Sequence, residues 1–124
     1  MSKVVLVTGC RSGFGLLTAV ELARRGHVVY AGLRDPESAE ALVGAAKGLV
    51  VRLVPLDVTR GDQREAVVEQ ILAEQGRIDV LVNNAGVALG GFLEDVDEDE
   101  FRQVFDTNVL APWALTKAVL PTMR

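Results

Sequence analysis

Apolar residues gather in four short runs: Val4–Val7, Val28–Leu33, Leu49–Leu56 broken by Arg52, and Val80–Val82. Runs rich in β-branched residues and without polar alternation suit strands covered on both faces, the condition of a parallel sheet. The intervals between them start and stop like helices. The first spans about Phe14 to Arg25, with two arginines in its last turn and Gly26 as the C-terminal cap. A second opens with Asp35 as N-cap and Pro36 at the first helical position, and ends before Gly48. A third begins near Thr59, which with Asp62 resembles a capping box, and stops at Gly76. The last begins near Asp97, with acids in the first turn where the helix dipole favours them. A β-α unit repeated four times with right-handed crossovers predicts one open α/β sheet. No linker or repeat interrupts residues 1–124, which are read as a single domain; the nearest thing to an insertion is Val87–Val96, rich in glycine and acids.

The chain has 124 residues, of which 49% are hydrophobic and 24% charged. That is enough for one globular domain with a real core. A net charge of -4, with no basic run, supplies no field for nucleic acid or anionic lipid. The one cysteine, Cys10, forms no internal disulfide, and with a single histidine the chain falls short of a structural zinc set. No stretch approaches a membrane span or a signal-peptide core, so the expected setting is reducing and cytoplasmic.

The first strand runs into Thr8-Gly9-Cys10-Arg11-Ser12-Gly13-Phe14-Gly15. In a doubly wound sheet such a turn aims unpaired backbone N–H groups outward at the positive end of a helix dipole, where an anion belongs. Gly9, Gly13 and Gly15 let the backbone turn sharply, approach a phosphate and pack helix against strand. A P-loop would need Gly-Lys followed by Ser or Thr, and Phe14-Gly15-Leu16 has none of these. A dinucleotide pyrophosphate is the expected ligand, against a bare glycine-rich turn.

This segment fits TGxxxGxG, and Asn83-Asn84-Ala85-Gly86 follows the fourth strand as NNAG. With Asp57-Val58 after the third strand and Asn108 in the fourth helix, the chain resembles the short-chain dehydrogenase/reductase family, over its N-terminal half. The spelling CxSGFG is similar to that of steroid- and retinol-type members. The resemblance implies a Rossmann-type doubly wound parallel sheet, truncated to about four strands and four helices in the order 3-2-1-4. It also implies a nicotinamide dinucleotide and hydride transfer between an alcohol, here small and apolar, and its carbonyl form. Thr8, Gly9, Ser12, Gly13, Phe14 and Gly15 match the cofactor loop. Asp57 and Val58 match the positions on the adenine edge, and Asn83, Ala85 and Gly86 the segment along the adenosine ribose. A strand-ending turn for Asn83-Asn84 and a capping acid for Asp57 are the plainer alternatives.

An NAD enzyme places a carboxylate at the end of the second strand, roughly 20 residues beyond the glycines. The family pattern puts Leu33 there, followed by Arg34, whose guanidinium can pair with a 2′-phosphate. NADP(H) is therefore expected, with NAD(H) as the alternative. Asp35 is the rival acid, though its place before Pro36 favours an N-cap. Arg11 either adds a second positive charge or is simply solvated.

Phe101, Val104, Phe105 and Asn108 recur at helical spacing, which places the asparagine on the apolar face of its helix. Pro112, four residues on, has no N–H for the Asn108 carbonyl, which is left free at a kink. In the resembled family an asparagine here helps hold a water in the proton relay, so Asn108 is the candidate catalytic residue; a kink that merely bends the helix is the alternative. The family's serine, tyrosine and lysine have no counterpart: Tyr30 lies in a core strand, Lys117 and Ser12 belong to other elements, His27 reads as a connector, and Trp113 as core or interface. Two readings follow. One is a piece of an NADP(H)-dependent alcohol or carbonyl oxidoreductase, inactive alone; the other is a catalytically empty domain that binds dinucleotide or assembles. An uncovered fourth strand and last helix also predict self-association.

Overall fold

The computed structural model describes residues 1–124. Strands β1 (Val4–Val7), β2 (Val28–Leu33), β3 (Val51–Pro55) and β4 (Val80–Val82) form one parallel sheet in the order β3-β2-β1-β4. Val4 lies beside Val28, Val5 beside Val80, and Val29 beside Val51. β1 and β2 are buried almost throughout because helices cover both faces. Alternate residues of β1 serve opposite cores, as the strand period demands. Val5 and Val7 pack with Leu16, Ala19 and Val20 of helix α1 (Gly13–Arg24) and Leu42 of α2 (Glu40–Ala45). Val4 and Leu6 pack with Val67, Val68 and Ile71 of α3 (Gly61–Gln75) and with Ala111, Leu115 and Val119.

The fourth helical segment is a single rod in two parts, α4 (Glu98–Phe105) and α5 (Ala111–Met123), joined through a π-helical turn at Asp106–Leu110. There Ala111 N donates to Asp106 O, five residues back. The chain meets Pro112 with one widened turn, and the proline sits in the first turn of α5, where a missing N–H costs little.

Two helix starts differ from the sequence reading. Asp35 caps, as expected, but its carboxylate accepts from Glu37 N at 3.0 Å and from Ser38 Oγ at 3.0 Å, and so tightens Pro36–Ser38 into a 3-10 turn. Ala39 then leaves the helical region (φ -106, ψ 18), and α2 restarts at Glu40. The capping box at Thr59 does not form. Thr59 Oγ1 donates instead to Asp57 Oδ1 at 2.6 Å, and Asp62 pairs with Arg60 at 2.8 Å.

His27 is a connector: its Nδ1 accepts from Lys3 N at 3.0 Å and ties β2 to the start of β1. The face of α4 that carries Phe101 and Phe105 is not a core face; these rings are 59% and 48% exposed, and Trp113, at 59%, lies under the Lys117 ammonium, 5.1 Å from the ring centre. No helix is long and apolar enough to cross a membrane.

Candidate functional site

Parallel strands bring four chain segments to one rim of the sheet, and the turn after β1 is the most constrained of them. Thr8 is buried, and its hydroxyl accepts from Asn84 N at 3.0 Å and Ala85 N at 2.9 Å while donating to Val82 O at 3.4 Å. Asn84 answers with its side chain: Nδ2 donates to the carbonyls of Thr8 and Gly9, 3.1 Å each. Cys10 N, bonded to Gly32 O at 3.0 Å, fastens the other side of the turn to β2.

The glycines are sterically required where this brace is tightest. Gly9 has φ +67, and a Cβ on it would lie 2.8 Å from Ala85 Cα. One on Gly15 would strike Gly9 O and the Asn84 side-chain amide. Gly13 has φ +60 and open space beside it. Ser12 heads α1 without a side-chain cap, and no protein atom accepts from the amides of Arg11, Ser12, Gly13, Phe14 or Gly15. An uncapped helix start with unsatisfied amides is a built anion site. The cradle fits a dinucleotide diphosphate.

Below the turn opens a cleft of about 1220 Å³. Of the residues singled out from the sequence, Gly9, Arg11, Ser12, Arg34, Asp57, Val58, Ala85 and Gly86 line it. Thr8 lies behind the wall as its brace, while Gly13, Phe14 and Gly15 form the first turn of α1, with the Phe14 ring 83% exposed. Asn83 is not in the wall; its Nδ2 donates to Thr116 Oγ1 of α5 at 3.1 Å. Asn84 is, and its bracing part was missed because a second asparagine after a strand reads as a turn former. The signal was present in the doubled Asn, one side chain turned to α5 and the other to the glycine turn.

Both signs of charge line the cleft. Arg11 and Arg34 take part in none of the chain's ion pairs, so their guanidinium groups are free for a ligand. Asp35, Asp57, Asp97, Asp99, Glu100 and Asp106 line it too, with Arg102. Partial burial works to raise the Asp57 carboxyl, but the two hydrogen bonds from Thr59 and the charges of Arg34 and Arg60 hold it below the usual carboxylate range. Val58 lines the same space, and its N–H donates to no protein acceptor. Cys10 offers no chemistry. Burial pushes its thiol up to about 12 against a backbone hydrogen bond at Gly32, and Sγ donates to Val7 O.

Asn108 is exposed, and both polar atoms of its side chain have a partner. Oδ1 accepts from Val87 N at 2.9 Å and Nδ2 donates to Val87 O at 2.7 Å, so the amide clasps the backbone just after the NNAG segment. The expectation of an asparagine on a covered apolar face is corrected: the face is open, and the partners that an amide requires come from Val87.

Residues 3–124 match the short chain dehydrogenase family. The chain belongs to it. Among relatives of this short-chain dehydrogenase, a 3-ketodihydrosphingosine reductase of Bacteroides thetaiotaomicron is 43% identical over 122 residues, covering 98% of the chain and 42% of the relative. Human retinol dehydrogenase 8 is 41% identical over 128 residues, covering 98% and 40%. The chain therefore spans less than half the length of these relatives. A metagenomic short-chain oxidoreductase solved in complex with NADP superposes with a TM-score of 0.88 at 35% identity, over 98% of the chain and 55% of that structure.

Proposed function

We propose that the chain is the nucleotide-holding part of an NADP(H)-dependent short-chain oxidoreductase that interconverts a small apolar alcohol and its carbonyl form. The observation that carries this reading is the set of amides from Arg11 to Gly15 with no acceptor in the protein, at the start of α1 and beside free Arg34. Those amides receive the diphosphate, helped by the helix dipole. Arg34, with Arg11, pairs with the 2′-phosphate; Asp57 and the Val58 amide take the adenine edge, and Ala85 and Gly86 flank the ribose. When bound, the nicotinamide supplies or accepts the hydride. Asn108 positions the Val87 backbone through its side chain and offers its own carbonyl to the relay water. Tyr30 is excluded as the acid: it is fully buried, its hydroxyl accepting from Gln75 Nε2 at 3.2 Å. Relatives named as a 3-ketodihydrosphingosine reductase and a retinol dehydrogenase support an alcohol or carbonyl substrate with an apolar body. A cytoplasmic setting suits the free, buried Cys10.

The test is a pair of titrations, NADPH and NADH, on the chain and on Arg34→Asp. Charge-assisted bonds to phosphate contribute roughly 1.5–3 kcal/mol, so the variant is expected to bind NADPH about ten- to a hundred-fold more weakly, with NADH held or improved. An unchanged ratio removes Arg34 from the site.

Self-association is part of the proposal. β4 has a neighbour on one side only, and Phe101, Phe105, Val109 and Trp113 stand open along α4, the π turn and α5. Sedimentation of the chain is expected to show a mass that rises with concentration. A monomer at every concentration overturns this part alone.

A further inference from the structure

Three backbone groups just after β3 are held from the start of α3. The Asp57 N–H donates to Gln63 Oε1 at 2.6 Å, the Asp57 carbonyl accepts from Arg60 N at 3.0 Å, and the Val58 carbonyl accepts from Arg64 Nη1 at 2.8 Å. The Val58 side chain is fixed as well, packed in the core with Val67, Val68 and Ile71. In a planar trans peptide the carbonyl and the following N–H point in opposite directions, so the bond from Arg60 turns the Val58 N–H away from α3. That N–H has no acceptor in the protein, and an open acceptor stands on the neighbouring residue: both bonds from Thr59 go to Asp57 Oδ1, and Oδ2 receives none.

An acceptor beside a donor matches a 6-aminopurine, whose amino group donates and whose ring N1 accepts. A 6-oxopurine presents the reverse, a carbonyl to the carboxylate and an N–H to the amide. Turning the Asp57–Val58 peptide over would exchange its N–H for its carbonyl and suit the oxo base instead. The peptides on either side oppose that turn, one held by Gln63 and the other by Arg64. Resting on the reading of Asp57 and Val58 as the adenine edge, we infer that Gln63 and Arg64 are positioning residues for base specificity: they lock the Asp57–Val58 peptide with its N–H toward the ligand, and so select a 6-aminopurine dinucleotide. Neither residue lines the cleft, and both act through the backbone.

Affinities of NADPH and of its analogue with hypoxanthine in place of adenine, measured by calorimetry on the full chain, test this without turnover. The parent chain is expected to favour NADPH by about tenfold or more, the scale of one hydrogen bond to a charged group. Gln63→Leu and Arg64→Met each remove one clamp and keep most of the side chain's bulk. Each is expected to lower the ratio by roughly three- to tenfold, the scale of one net hydrogen bond. The two variants break different bonds, so either one that keeps the parent's circular dichroism reads the effect. Gln63→Glu retains an acceptor oxygen at the same reach and is expected to hold the parent's ratio. A purely structural brace would weaken both nucleotides alike. An unchanged ratio in the leucine and methionine variants, or a ratio that falls as far in Gln63→Glu, overturns the inference, while the parent's own preference leaves the adenine edge standing. Equal affinities in the parent overturn the adenine edge and the inference together, and binding of neither nucleotide overturns the proposed function with them.

Discussion

Gly15→Ala is expected to abolish NADPH binding and to lower stability by about 1–3 kcal/mol, the usual cost of forcing an extra carbon into a packed position. The methyl group would enter the space held by Gly9 O and the Asn84 side-chain amide. Neither can retreat cheaply. Gly9 is held from its far side by Ala85, and Asn84 Nδ2 is pinned by two carbonyls at 3.1 Å. Relief therefore has to come from moving α1 away from the turn, which disperses the amides that form the anion site. Urea unfolding measures the first effect and a nucleotide titration the second. Wild-type affinity in this variant would show that the cradle tolerates a displaced helix, and the account of the turn would fail with it.

Thr8→Val is expected to destabilise the chain by about 2 kcal/mol and to weaken NADPH in parallel. Valine matches the shape of threonine and removes the acceptor. Asn84 N keeps a second partner in Val82 O at 3.0 Å, so the loss concentrates on Ala85 N, whose acceptor is the Thr8 hydroxyl at 2.9 Å. An orphaned, partly buried donor costs roughly 1–3 kcal/mol. Thr8→Ser should recover most of both effects, because serine carries the same oxygen. If serine and valine behave alike in thermal unfolding, the hydroxyl is not what joins β1 to the NNAG segment.

The sheet was legible because its signal is local. Four apolar runs separated by capped polar segments determine a parallel α/β order, and β1, β2 and β4 lie where those runs stand. The glycine turn was legible too, since positive φ at Gly9 and Gly13 favours glycine and close approaches at Gly9 and Gly15 leave no room for a side chain. Features that depend on two distant segments were not. Thr59 reads as a cap from its spacing to Asp62, yet its hydroxyl has a nearer acceptor in Asp57, which a local pattern cannot weigh. Asn84 and the Val87 clasp of Asn108 join residues 76 and 21 positions from their partners, and nothing in their own neighbourhoods announces it. The apolar spacing of Phe101, Val104 and Phe105 was read rightly as a helix stripe, but a stripe does not say what covers it.

The widened turn at Asp106–Leu110 changes what the last helical rod can face. Residues advance about 100° each along an α-helix, so Phe101 and Ala111, ten positions apart, would point within about 80° of one another on an uninterrupted rod. A π turn absorbs one residue, and the same pair then points roughly 180° apart. One inserted position thus rotates the phase of the helix: Ala111, Leu115 and Val119 seat fully in the sheet's core while the rings of Phe101 and Phe105 look away from it. The rod is two-sided in this way with its helical winding uninterrupted, each half presenting its oily side in a different direction.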